Sequence, residues 1–261
     1  RVYGILLASF LIGLVFYWTS TYFGSLAGFV SALSLATYPL FWSESHFNTE
    51  KDVPEAVYWS FFLFILSKGI IKKNIKTILL SGILFGLALG TKFNILFSFA
   101  VLVPWVLAYW ISCKPKIKEY KKTILFSFFA ILLGFLIFVA SWPYLWQDLI
   151  SGLQHVFGFY KAIGVTGGSG SISNLITPNF YPIRWITLTT PFTTLVLCLV
   201  SLLALPKIIK RDKTKIGLLF ILWLIVPILR VSSKAPVIYG GVRQIMEFIP
   251  AMAILSGLGA N

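Results

Sequence analysis

Long apolar runs, interrupted by short clusters of charge, make up almost the whole chain. Nine stretches approach the roughly 20 residues that cross a bilayer core: Val2–Trp18, Gly24–Trp42, Pro54–Ile71, Thr77–Thr91, Asn94–Ser112, Thr123–Trp142, Trp185–Leu205, Ile216–Val231 and Gln244–Ala260. The runs are continuous rather than alternating, which excludes a transmembrane β-barrel. The pattern predicts an all-α, polytopic transmembrane helical bundle of about nine helices, a single domain over residues 1–261. The segment 143–184 differs. There Leu149, Ile150, Leu153, Val156, Phe157 and Tyr160 recur at helical spacing, opposite Gln147, Asp148, Ser151, Gln154 and His155. This pattern predicts an outer loop carrying a helix that lies in the membrane interface. The glycine- and serine-rich stretch Gly164–Ser171 that follows is either a plain connection or a loop that gates a site.

Composition sharpens the picture. Apolar residues are 58% of the chain and charged ones 11%, against roughly 45–50% and 25% in soluble domains. Lipid must be the main solvent, which excludes a cytosolic enzyme, a secreted disulfide scaffold and a disordered tail. Cys113 and Cys198 have no metal-binding or redox spacing.

The net charge of +14 would suggest nucleic acid, but its placement argues for topology. Fourteen of the 22 basic residues sit in three loops: Lys68, Lys72, Lys73 and Lys76; Lys114, Lys116, Lys118, Lys121 and Lys122; Lys207, Lys210, Arg211, Lys213 and Lys215. With nine alternating helices these loops share one side, which the positive-inside rule makes cytoplasmic. Anionic lipid is their partner there, and no nucleic acid is expected. Glu44, Glu50, Asp52, Glu55, Asp148 and Glu247 fall on or near the opposite, outer face. Trp18, Trp42, Trp110, Trp142 and Trp185, at the ends of runs, fit an interfacial aromatic belt. Residue 1 falls outside, and the abrupt apolar start at residue 2 leads us to expect that an upstream part is missing.

The outer face carries the chemistry. Asp52-Val-Pro-Glu55 opens a helix and has the form of a capping box. The same acids, with Glu44, His46, Asn48 and Glu50, equally suit a divalent cation or a substrate at the membrane mouth. Gly82, Gly86 and Gly90 stand four apart on one helix face and predict close helix packing. Lys92, just beyond them in a tight turn, either snorkels to water or binds an anion. Arg243 and Glu247 stand four apart, the spacing of a helical ion pair. Arginine is also the better fork for phosphate oxygens. His46 and His155 are lone histidines, which more often hydrogen-bond at surfaces than ligate.

Four segments in order resemble polytopic glycosyltransferases of the C-type fold, above all the dolichyl-phosphate-mannose–protein mannosyltransferases and the related bacterial aminoarabinose transferases. They are Ala36-Thr-Tyr-Pro-Leu-Phe-Trp-Ser-Glu-Ser-His46 with Asp52-Val-Pro54; Gly86-Leu-Ala-Leu-Gly-Thr-Lys92-Phe93; Asn179-Phe-Tyr-Pro-Ile-Arg-Trp185 with Thr190-Pro191; and Tyr239-Gly-Gly-Val-Arg243 with Phe248-Ile-Pro250. The resemblance implies transfer of a sugar from a polyprenyl-phosphate donor to a hydroxyl of a protein, lipid or glycan acceptor. It places that reaction on the extracytoplasmic face of a plasma (inner) membrane. It also implies a general-base carboxylate on a first outer loop, which would lie upstream of residue 1, so the fragment is expected to be inactive alone. Asp52 is then the catalytic candidate, with Lys92, Arg243, Tyr239, Glu50 and His46 as substrate-binding candidates. No metal site is assigned, though a divalent cation remains an option.

A polytopic lipid or solute transporter, or a non-catalytic membrane scaffold, is the competing class. Transporters place polar groups near the midplane and show paired repeats. Here no Asp, Glu, Lys or Arg is expected at mid-depth, and no repeat is visible.

The topology is directly testable. In full-length protein with Cys113 and Cys198 replaced by serine, Thr49→Cys and Ser169→Cys should react with an impermeant thiol reagent in intact cells. Lys118→Cys should not. Equal labelling of all three would overturn the orientation.

Overall fold

The computed structural model describes residues 1–162, 177–234, 238 and 240–261. Among these the fold is helical, with one isolated antiparallel bridge between Pro178 and Ser233. The stretch 164–171 and Tyr239 lie outside the described residues.

Four helices are long and apolar enough to cross a membrane: α1 (Val2–Phe23), α4 (Asp52–Lys72), the unit made of a 3₁₀ turn at Phe93–Phe97 and α6 (Ser98–Cys113), and α7 (Ile117–Ser141). Two further spans are possible only as bent pairs. α2 (Ser25–Ala36) and α3 (Pro39–Phe47) meet at 58°; α10 (Tyr181–Thr189) and the apolar part of α11 (Phe192–Arg211) meet at 118°. α5 (Ile75–Thr91), α12 (Ile216–Arg230) and α13 (Ile249–Gly259) are shorter. Among the described residues four helices, or up to six with the bent pairs, are therefore long enough to span, and the expected count of about nine is not confirmed. Proline accounts for the breaks. Pro39, Pro191 and Pro250 each stand at the start of a new helix, where the missing N–H does no harm, and each divides a continuous apolar run. The first two breaks are tied together, since the Tyr38 and Thr190 hydroxyls lie 2.8 Å apart.

Packing follows the small residues. α5 crosses α7 so closely that a Cβ on Gly82 or Gly86 would collide with the backbone of Ala130 or Gly134. Ser31 and Ser34 of α2 reach α13 by hydrogen bonds to the Ile254 carbonyl and the Ser256 hydroxyl. Trp18 departs from the expected aromatic belt. It is fully buried among Phe64, Phe220 and Trp223.

The three basic loops gather at one end of the bundle. Lys73 pairs with Glu119 at 2.7 Å, and Trp105 Nε1 donates to the Thr214 carbonyl at 3.1 Å. The helix expected in the segment 143–184 forms as α9 (Leu149–Lys161), with α8 (Tyr144–Gln147) as a single turn before it. Asp148 caps α9, its carboxylate accepting from the Ile150 and Ser151 N–H groups at 3.1 Å. From there Phe157 and Tyr160 pack on the Phe93 ring, so α9 lies over the Lys92 turn.

Candidate active site

Three buried carboxylates and three cations meet where α4 begins, α5 and α12 end, and the 3₁₀ segment Arg243–Phe248 leads into α13. Lys92 is the centre. Its Nζ reaches Asp52 Oδ1 at 2.9 Å, Glu55 Oε2 at 3.3 Å and the Gln244 carbonyl at 2.7 Å. Burial alone would push the Lys92 ammonium toward its neutral form. The charges of Glu55, Glu247 and Asp52 outweigh that and hold its pKa above the ordinary lysine value. Snorkelling to water does not describe this residue: its side chain is 17% exposed and turned toward the acids.

Asp52 has both oxygens engaged. Oδ1 takes Lys92, while Oδ2 accepts from Asn48 Nδ2 and lies 3.2 Å from Arg243 Nε. The expected capping role is corrected. Asp52 is the first residue inside the helix and caps nothing, and it forms no capping box with Glu55. Asn48 Oδ1 instead accepts weakly from the Lys51 and Asp52 N–H groups, both at 3.4 Å. Glu55, one turn on, is wholly buried and meets Lys92 as a charge contact rather than an aligned hydrogen bond.

Glu247 pairs with a different arginine from the one its spacing suggests. Arg230, the last residue of α12, donates from Nη2 to Glu247 Oε1 at 3.1 Å and from Nη1 to Asn94 Oδ1 at 2.6 Å. Arg243 turns to Asp52 instead. The segment that carries Arg243 and Glu247 is 3₁₀, with a non-helical step at Ile245 (φ −124°, ψ 28°), so α-helical i,i+4 geometry does not apply. The Trp223 indole N–H anchors the same segment through the Glu247 carbonyl at 2.6 Å.

Glu50 and His46 do not join this cluster. No hydrogen bond or ion pair links Glu50 or His46 to it. Glu50 is exposed. His46 Nδ1 lies 2.8 Å from the Trp42 carbonyl and its ring packs on Trp42, beside a separate open cavity lined by Arg1, Trp42, Ser43 and Phe47. Tyr239 is outside the described residues. Among the described residues, no group of three or more His, Cys, Asp or Glu side chains could hold a metal ion.

Arg230 and Asn94 escaped the sequence reading, yet one signal was there. Ile216–Leu229 contains no charged residue and then ends in a single arginine, at the end away from the three lysine-rich loops.

A family model described as dolichyl-phosphate-mannose-protein mannosyltransferase matches residues 1–144. The chain belongs to this family. Nothing matches it among curated proteins or solved structures. The match identifies the chain as a multi-pass membrane glycosyltransferase. Asp52, Glu55, Lys92 and Asn94 lie inside the matched stretch. Arg230, Arg243 and Glu247 lie beyond it, and the fold brings them to the same place.

The contacts of Asp52 separate an ionic role from a helix cap. Asparagine caps well but carries no charge for Lys92 and Arg243. Asp52→Asn in the full-length enzyme should lower sugar transfer by about tenfold or more, as expected when a charged hydrogen-bond partner is lost. Wild-type transfer by this variant would return Asp52 to a helix-end role.

Proposed function

We propose that the chain forms the donor-phosphate side of a membrane transferase that moves a sugar from a polyprenyl-phosphate carrier to an acceptor hydroxyl on the outer face. The observation that carries this reading is the state of Arg243. Its side chain is 39% exposed, more than any other member of the cluster. It touches Asp52 through Nε, and among the described residues no hydrogen bond occupies its two Nη groups. A guanidinium pinned at one edge and open at the other suits a phosphate.

The chemistry follows from where charge develops. As the sugar leaves, negative charge builds on the carrier phosphate, and preorganised cations in a water-poor site stabilise it. Arg243 meets the phosphate first. Lys92 stands behind it across Asp52 and supplies the second positive charge. Asp52 holds both cations in register. Protein, lipid and glycan hydroxyls are all chemically suitable acceptors. The polar groups collect at one end of the bundle, which favours this reading over a transporter with a site at the midplane.

Transfer from polyprenyl-phosphate-mannose by the full-length protein tests the assignment. Arg243→Ala and Lys92→Ala should each weaken donor use by roughly 2–5 kcal/mol, the cost of removing one member of a desolvated charge pair. Lys92→Arg should be tolerated only in part, because guanidinium and ammonium differ in geometry. The double variant should lose less than the sum, as groups sharing one ligand are not additive. Lys161→Ala, at the exposed end of α9, is the control and should be nearly silent. Arg243→Ala with wild-type donor use would remove the phosphate assignment.

A further inference from the structure

We infer that Arg230 is a positioning residue, setting Arg243 for the donor phosphate through Asn94 and the Gln244 carbonyl. The inference rests on the phosphate role proposed above for Arg243.

Gln244 follows Arg243 directly, so whatever fixes the Gln244 peptide fixes the direction in which Arg243 leaves the backbone. That carbonyl is the meeting point of three side-chain donors from three elements. Lys92 Nζ approaches it at 2.7 Å, Asn94 Nδ2 at 3.0 Å and Arg230 Nη2 at 3.4 Å. The next residue, Ile245, has left helical geometry, so regular helix bonding does not hold the chain at this step. The side-chain donors take over that task.

Arg230 organises them. Its Nη1 donates to Asn94 Oδ1, and that bond turns Asn94 Nδ2 toward the Gln244 carbonyl and toward Glu247 Oε1. Its Nη2 also pairs with Glu247, which is completely buried. Without that partner the Glu247 charge would compete for Lys92 and Arg243, the two nearest remaining cations of the cluster. Arg230 is poorly placed to bind phosphate itself. Both Nη groups are engaged, the Phe97 ring lies 5.0 Å from its Cζ, and the side chain is only 16% exposed. Its influence therefore passes through Arg243.

A double-mutant cycle on ligand affinity separates this role from a merely structural one. The probe is polyprenyl monophosphate, which needs neither sugar nor acceptor, titrated into full-length protein in nanodiscs. Arg243→Ala should weaken binding about tenfold, equivalent to losing one good charged contact. Arg230→Ala should weaken it at least about fivefold, and Arg230→Lys should recover part of that loss. In the Arg243→Ala background, Arg230→Ala should change affinity by less than about twofold, because the group it positions is gone. Asn94→Ala should repeat the Arg230→Ala result, and it stands in if the arginine variant does not fold. Wild-type affinity in Arg230→Ala or Asn94→Ala would overturn the inference. So would losses that multiply fully in the double variant. Wild-type affinity in Arg243→Ala is a different failure, since it removes the phosphate reading on which the inference rests.

Discussion

Three carboxylates buried at one end of an apolar bundle can persist only if cations are held against them. Moving an isolated carboxylate out of water costs far more than a folded domain has to spare. In this chain Lys92 answers Asp52 and Glu55, Arg230 answers Glu247, and Arg243 closes on Asp52 from the more exposed side. Three acidic side chains thus face three basic ones. Each carboxylate is therefore tied to an element distant in sequence, which fixes the starts and ends of α4, α5, α12 and α13 relative to one another. This end of the bundle takes its shape from that balance.

The apolar body serves the same arrangement. Close packing of Gly82 and Gly86 against Ala130 and Gly134 fixes the axis of α5, and so the height at which Lys92 emerges. The proline breaks let the chain turn without leaving apolar surroundings, and the Tyr38–Thr190 contact locks two of those turns together. α9 covers the Lys92 turn through Phe157 and Tyr160. Side chains buried beneath that turn are shielded from bulk water, and their charges act more strongly for it.

The fold class was legible because membrane burial is written in long apolar runs, and the basic loops are written in lysine. Helix α9 was legible because one face of Leu149–Lys161 is apolar and the other polar. Lys92, Asp52 and Arg243 were legible as out-of-place charges at helix ends. Partnership was not. The four-residue spacing of Arg243 and Glu247 suggested a pair, but the backbone there is a broken 3₁₀ turn, and each residue found a partner from elsewhere. The Asp52-x-x-Glu55 pattern suggested a cap, but the pull of two cations turned Asp52 into the cluster. Hydropathy does not register a bend, although Pro39 and Pro191 stand at the two bent pairs. Arg230 was visible as a residue, but only the fold shows that it faces Glu247.

The counter-ion role of Lys92 is open to a single stability measurement on the full-length protein. Removing one partner of a buried pair typically costs about 3–5 kcal/mol, because the other charge is left uncompensated. Lys92→Met keeps the length of the side chain and deletes the charge, so it should lower the unfolding temperature in detergent by several degrees. Adding Glu55→Gln to that variant, which removes the stranded carboxylate, should restore a large part of the loss. A Lys92→Met protein as stable as wild type, or a double variant that is worse than the single one, would show that the lysine does not hold these acids in place.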